Sequence, residues 1–148
     1  MSISKITHDK LVVSWLLLAF CLLLHVVDEA LNNFLDLYNP IVLKIKESIS
    51  FIPLPTFTFK TWIAGLSIGI LILFLITPLV SRRNKFIMPL IQIFSVLMIL
   101  NGLGHIIGSI YYSKLIAGML SSPFLIIASA SVLYFSNKKE KINRQNIE

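Results

Sequence analysis

Leu11-Val12-Val13-Ser14-Trp15-Leu16-Leu17-Leu18-Ala19-Phe20-Cys21-Leu22-Leu23-Leu24-His25-Val26-Val27 is an apolar run without a charged residue. Continued through the amphipathic stretch Asp28 to Tyr38, a helix here crosses the roughly 30 Å hydrocarbon core of a bilayer and protrudes beyond it. Asn39-Pro40 is expected to end the helix, because proline lacks the amide hydrogen that a helix interior uses. Lys5 and Lys10 precede the run as they would in a secretory signal, but no small-x-small cleavage site follows. Leu18-Ala19-Phe20-Cys21 fails as a lipoprotein box because Phe20 stands where a small residue is needed. The segment is therefore read as a retained helix.

Three further apolar runs follow. Thr61 to Val80 carries Gly65 and Gly69 and has Pro78 near its end. Phe86 to Ile110 carries Gly104 and Gly108. Small residues four apart let helix backbones approach closely in lipid, so both pairs are expected to meet a partner helix. In Leu115 to Phe135, Pro123 either kinks the helix or marks its start after a short loop. The connector from 41 to 60 divides in two. Ile41 to Ser50 suits a short amphipathic helix with Lys44, Lys46 and Glu47 solvated, and Phe51-Ile52-Pro53-Leu54-Pro55 cannot be regular helix. The second part is expected at the membrane interface, over the mouth of the bundle. No repeat relates the two halves.

Composition agrees. The 148 residues allow one domain, and only 14% are charged against 56% hydrophobic. A soluble domain carries about a quarter charged residues, and the mean hydropathy of +0.84 leaves too little polar surface for water. The net charge of +6 sits in flanks: Arg82, Arg83 and Lys85 between two runs, and Lys138, Lys139, Lys141 and Arg144 after the last. Those positions fit anionic headgroups rather than nucleic acid, for which no soluble binding module is present. With four spans these flanks share a side with Lys5 and Lys10, and only Lys44, Lys46, Lys60 and Lys114 fall opposite. The richer side is expected to be cytoplasmic, with Tyr38, Trp62, Tyr111 and Tyr112 at the outer interface. Cys21 is the single cysteine, so no internal disulfide forms. The expected fold is thus an all-α integral membrane bundle of about four helices, 11–37, 61–80, 86–110 and 115–135, with a frayed charged tail at 137–148 and both termini cytoplasmic. The expected location is a cell membrane, read as the bacterial cytoplasmic one.

Polar residues inside such helices are costly and need a reason. His25, Asp28 and Glu29 share one helical face, continued by Asn32 and Asp36, and that face should point into the bundle or a wet cavity. Asn101 and His105 lie four apart in the third run, followed on that face by Ser109 and flanked by Gly104 and Gly108. His25 falls about 21 Å along the first helix and His105 about 28 Å along the third, less if the helix enters after Pro89. Both histidines thus belong to the outer half of the membrane. Each residue alone has a simpler role: histidines as hydrogen-bonding glue, Asp28 and Glu29 as solvated interface groups, Asn101 as a bridge. The matched depth favours one shared site.

At these residues the chain resembles the HXXEE family of small integral membrane proteins. That family is named for a histidine followed three and four residues later by acids, near the end of its first helix. The motif here reads His25-Val26-Val27-Asp28-Glu29, with aspartate where the family has its first glutamate. Asn101-Gly102-Leu103-Gly104-His105 is similar to a second family motif, and Gly118, Ser121 and Ser122 to a glycine and hydroxyl residues that follow it. The resemblance covers about Leu11 to Phe135. It implies a membrane-embedded His/carboxylate site and brings no activity with it.

Three functions suit His25, Asp28, Glu29, Asn101 and His105. The first is a metal enzyme, with His25, Glu29 and His105 holding a divalent ion such as zinc, an open water position, and the remaining carboxylate as general base. The set is thin for a di-iron bundle. The second is a metal-free isomerase or hydrolase, its shielded carboxylate and histidine exchanging protons. For either, a lipid-like or apolar small molecule would arrive sideways from the bilayer or under the Pro53–Pro55 loop. The third is a proton- or cation-binding transporter or sensor subunit, which with four helices would need a homo-oligomer. Bis-histidine haem ligation is a variant of it. No Gly-rich phosphate loop, His-Glu-x-x-His, Gly-x-Ser-x-Gly or Cys-x-x-Cys occurs, and nothing suggests a nucleotide cofactor.

Overall fold

The computed structural model describes residues 3–49, 51 and 53–145. Ser50 and Ile52 of the connector, residues 146–148 of the tail, and the side chains of Lys5, Lys139, Lys141 and Arg144 lie outside the described residues. The chain is all-α: α1 (Ile3–Leu31), α2 (Phe34–Ser48), α3 (Phe59–Leu75), α4 (Thr77–Ser81), α5 (Ile87–Tyr111) and α6 (Ser122–Gln145), with no strand among the described residues. Two stretches, Lys10–Leu31 and Ile87–Tyr111, are long and apolar enough to cross a membrane, and Phe59–Leu75 is apolar but shorter.

α1 sorts its side chains by the helical repeat. Leu11, Trp15, Leu18, Leu22, His25 and Glu29 follow steps of three and four and are all buried, whereas Val13, Leu17, Phe20 and Leu24 point outward. His25 and Glu29 thus occupy the last two positions of a core stripe. α6 packs along both α1 and α5, and α3 and α4 lie against another side of α1. The buried stripe of α6 is small, with Ser122, Ala128, Ser129 and Ser136 beside Leu125 and Val132. That lets two neighbours come close. The hydroxyls of Ser122 and Ser129 are satisfied locally, on the carbonyls of Gly118 and Leu125. Trp15 Nε1 donates to Leu73 O at 3.0 Å and ties α1 to the end of α3.

Several expected boundaries move. The first helix stops at Leu31, not at Asn39-Pro40, because Asn33 adopts a left-handed conformation (φ 54°, ψ 49°) that asparagine tolerates. α2 then runs through Pro40 to Ser48. Asn39 binds the connector instead of ending a helix. Its side chain donates to Phe57 O at 2.9 Å and accepts from Phe57 N at 3.0 Å. With Tyr38 Oη donating to Pro55 O, this straps the irregular segment 53–58 to α2. The second run breaks near Pro78 into α3 and α4. The fourth helix begins at Ser122 rather than Leu115, with Pro123 in its first turn, where no amide donor is required. Helix continues past Asn137 to Gln145, in place of the expected frayed tail.

The close-approach glycines also differ. A Cβ at Gly65, Gly69 or Gly104 would meet nothing within 4 Å, so those positions do not seat a helix of this chain. At Gly108 it would meet only the Ile116 side chain. Gly102 is the glycine pressed against α6, where a Cβ would fall 2.7 Å from Ile126 Cγ1 and 3.2 Å from Ser122 O. Trp62 is buried against Phe34 and Phe59 rather than presented outward.

Candidate metal centre

The last two turns of the α1 stripe, one position of α5 and the turn-rich segment 112–121 converge at one place. His25, Glu29 and His105 are 0%, 5% and 6% exposed. Glu29 Oε1 lies 3.1 Å from His105 Nε2 and 3.6 Å from His25 Nε2. The imidazoles meet edge to face, with centroids 4.8 Å apart. The two histidines expected at matched depth therefore share one site, although α1 and α5 are held together chiefly through α6.

Hydrogen bonding assigns the tautomers. His105 Nδ1 lies 2.6 Å from Ala117 O. A carbonyl only accepts, so Nδ1 carries a proton, and Nε2 faces Glu29 as a lone pair in the neutral ring or as a second donor in the imidazolium. His25 Nδ1 lies 2.8 Å from Ser121 Oγ. Ser121 gives its single hydroxyl proton to Asp28 Oδ2 at 2.7 Å, and Ser121 N also donates to that oxygen at 3.0 Å. Ser121 Oγ therefore accepts from His25 Nδ1–H, and His25 Nε2 also turns inward. Among the described residues this buried Nε2 has no hydrogen-bond partner.

The two Nε2 atoms and Glu29 Oε1 thus face one another, with both Nδ1 atoms bonded elsewhere. With both rings neutral, three acceptors meet here, an arrangement that a shared proton or a bound cation would reconcile. The donor atoms of these three residues all lie within 4.8 Å of one another. Zinc bonds of about 2.0–2.2 Å at tetrahedral angles separate two ligands by about 3.3–3.6 Å. The 3.6 Å nitrogen–oxygen distance falls on that edge and the 3.1 Å one falls just short of it, and three protein ligands leave a fourth position open. The partners behind the ligands also match: ligating histidines commonly donate their other N–H to a carbonyl or into a carboxylate network, which is what Ala117 O and Ser121–Asp28 provide.

Gly118 completes the enclosure. Its φ is +80°, and a Cβ there would come within 2.8 Å of His105 Cε1 and Nδ1 and 2.9 Å of His25 Cε1. Both rings rest on this backbone, which only glycine allows. Asp28 is engaged with Ser121 and with Asn32 Nδ2 at 2.9 Å, so it orients His25 instead of serving as the spare base. Asn101 stands one turn before His105, outside the donor set. It borders two cavities, of about 340 Å³ and 360 Å³, that reach His25 and Glu29 from one side and His105 from the other. Asn32 and Asp36 are exposed and line a depression with Lys114. Ser121 and the Ala117 carbonyl lie in a segment read from the sequence as helix. Apart from the family-like Gly118, Ser121 and Ser122, no local pattern marks them. A scan of family models and searches of curated proteins and of solved structures find no match to this chain.

Proposed function

We propose that this chain is a four-span membrane protein of the HXXEE kind that binds one divalent cation, zinc by its donor set, at His25, Glu29 and His105, and acts there as a hydrolytic or acid–base enzyme on an apolar small molecule. The convergence of three acceptor atoms, with both Nδ1 protons already committed elsewhere, carries the metal reading. When bound, the ion would supply Lewis acidity and a water acidified toward neutral pH. The chain's own residues fix both imidazoles through Ala117 O and Ser121–Asp28, exclude bulk water, and bring Asn101 to the cavity wall as a polar group for substrate.

The membrane reading is supported by the outward faces of four helices. Val13, Leu17 and Phe20 on α1, Ile68, Leu71 and Leu75 on α3, Ile93, Leu97 and Leu100 on α5, and Phe124 and Ile127 on α6 are all exposed. So much apolar surface would not stay monomeric in water. Both termini are placed in the cytoplasm by the basic flanks, and the site then lies in the outer half of the bilayer. The HXXEE assignment is supported by its motif residues His25, Asp28, Glu29, His105, Gly118 and Ser121 gathering at this centre.

Metal content of detergent-purified protein tests the proposal. About one zinc per chain is expected, lost in His25→Ala, Glu29→Ala and His105→Ala while helix content is retained. No metal after zinc loading overturns it. A second reading, a proton relay, is favoured by the 3.1 Å Glu29–His105 contact, where a single proton would also reconcile two acceptors. Absence of metal would leave that reading standing. A tag on the tail should be reached only after the membrane is opened; access from outside intact cells would overturn the topology.

A further inference from the structure

We infer that the cavity between α1, α3 and α5 is a slot for one acyl chain of a single-chain fatty-acyl amphiphile, whose oxygen-bearing head lies at the His25–Glu29–His105 centre. The inference deepens the metal-centre reading and rests on it for the head alone.

Polarity is sorted along the length of the slot. Its wall runs on α1 from Leu22 to Glu29 and on α3 from Gly65 to Leu73, about 10 Å and about 12 Å of helix. The helices are antiparallel: Phe34 stacks near Trp62, and Trp15 bonds Leu73. Glu29 therefore lies toward the Gly65 end, and Leu22 toward Leu73. Among the lining residues the polar side chains are Glu29 and Asn101 at one end and His25 midway along α1, and the other end is bordered by Leu22, Leu73 and Phe94. In the proposed topology the polar end is the outer one. A molecule with a polar head outward and an apolar tail toward the bilayer centre has that order, which is the orientation of an outer-leaflet lipid.

The α3 wall is hollow. Gly65 and Gly69 lie one turn apart, both line the slot, and a Cβ at either would meet nothing within 4 Å. Glycines that seat no helix in this chain leave a furrow along α3. The sign of a ligand apart from the glycines is the atom that also carries the metal reading, His25 Nε2, wholly buried and without a hydrogen-bond partner among the described residues, on a residue that lines the same cavity. At about 340 Å³ the slot lies at the small end of the roughly 300–1,000 Å³ range of ligand sites, enough for one chain and not for a two-chain lipid. Of the three centre residues the other cavity reaches His105 alone, and it is bordered by Leu54 of the strap that the Asn39–Phe57 and Tyr38–Pro55 hydrogen bonds fix to α2. The slot reaches two of the three, His25 and Glu29.

The test uses palmitate with a photoreactive group within its chain about 12 Å from the carboxylate, the length of the slot, added to the full-length protein in detergent, with adducts mapped by mass spectrometry. Saturable labelling is expected around Leu73, Phe94 and Met98. Gly69→Leu should reduce it at least tenfold while zinc content stays near that of the parent. Labelling unchanged in Gly69→Leu, or confined to outward positions such as Ile93, Leu97 and Leu100, overturns the slot. Competition on the parent protein needs no variant to fold: excess palmitate should suppress labelling about tenfold and hexadecane far less. Equal competition by hexadecane overturns the assignment of the head. Zinc without saturable labelling would break the slot and spare the metal centre. Saturable labelling without zinc would spare the slot and break the metal centre.

Discussion

Two polar clusters lie at opposite ends of α5, Gln92 at one and His105 at the other, about 20 Å apart along the axis. Around Gln92 donors meet acceptors. Arg83 Nη1 and Nη2 donate to the carbonyls of Ser136 and Phe135 at 3.2 and 2.9 Å, and Gln92 Nε2 donates to Ser136 Oγ and Asn137 Oδ1 at 3.2 and 2.8 Å. Burial draws the Arg83 guanidinium below its ordinary pKa, yet it stays charged and its two outer nitrogens are bonded; only its Nε lacks a partner among the described residues. Around His105 two Nε2 atoms and a carboxylate oxygen face one another, each histidine anchored from behind. Both clusters are partly or wholly buried and join distant parts of the chain. The first pairs charged and amide donors with oxygen acceptors, apart from Arg83 Nε, and holds helices together. The second gathers three groups that can all accept, which is the arrangement the proposed cation would use.

The strongest way to break this contrast is Gly118→Ala. The left-handed backbone alone costs a non-glycine residue about 1–2 kcal/mol. The new methyl would also press on two imidazole edges fixed by hydrogen bonds, so the total loss should reach about 3 kcal/mol or more. Thermal unfolding in detergent and zinc stoichiometry should both fall. A Gly118→Ala protein that melts like its parent and keeps its metal would show that the rings are not clamped as described.

Next in size is the support behind His25. Ser121→Ala removes the group that accepts from Nδ1, and Asp28→Asn weakens the group that aligns Ser121. Loss of such partners costs about 10–100-fold in metal affinity. Competition against a zinc chelator should show that drop in Ser121→Ala, a smaller one in Asp28→Asn, and recovery in Ser121→Thr, with helix content unchanged throughout. Equal affinity in all three would reduce the Asp28–Ser121–His25 chain to ordinary glue, like the cluster at the other end.

These residues were unequally legible in the sequence. His25 and Glu29 continue the repeat that buries Leu11, Trp15, Leu18 and Leu22, so their inward direction follows from spacing alone. The depth of His105 follows from helix rise. By contrast, Asn33 gives no periodic signal for a left-handed break, and the apolar residues Leu115, Ile116 and Ala117 look like helix although they are irregular chain leading into a turn. The choice among Gly102, Gly104 and Gly108 depends on the rotation of α5 against α6, which spacing of small residues does not fix. Half of the centre's support comes from that misread turn, through one carbonyl and one glycine with no side-chain signature.

The inner cluster makes the converse prediction. Gln92→Leu removes hydrogen bonds to Ser136 and Asn137 and should cost about 1 kcal/mol of stability. Zinc affinity should not change, because about 20 Å of packed α5 and α6 separates the two ends. A fall in affinity as large as that in Ser121→Ala would mean that the ends are coupled and that satisfied polar groups here do more than hold helices.

The smallest effect belongs to Gly104→Ala, which sharpens the contrast from a different side. A Cβ at Gly104 meets open space, and alanine is the better helix former by about 0.8–1.0 kcal/mol. A stabilisation of up to about that amount is therefore expected, with zinc content unchanged. Gly102→Ala should go the other way, because its Cβ would press on Ile126 and on the Ser122 carbonyl where α5 meets α6. Melting temperatures of the pair, measured in the same detergent, decide between two uses of glycine on one helix. If both variants are destabilised alike, the open face of Gly104 must be covered by something outside this chain. A second copy is then the natural cover, since a pair of small residues four apart is how helices approach in lipid.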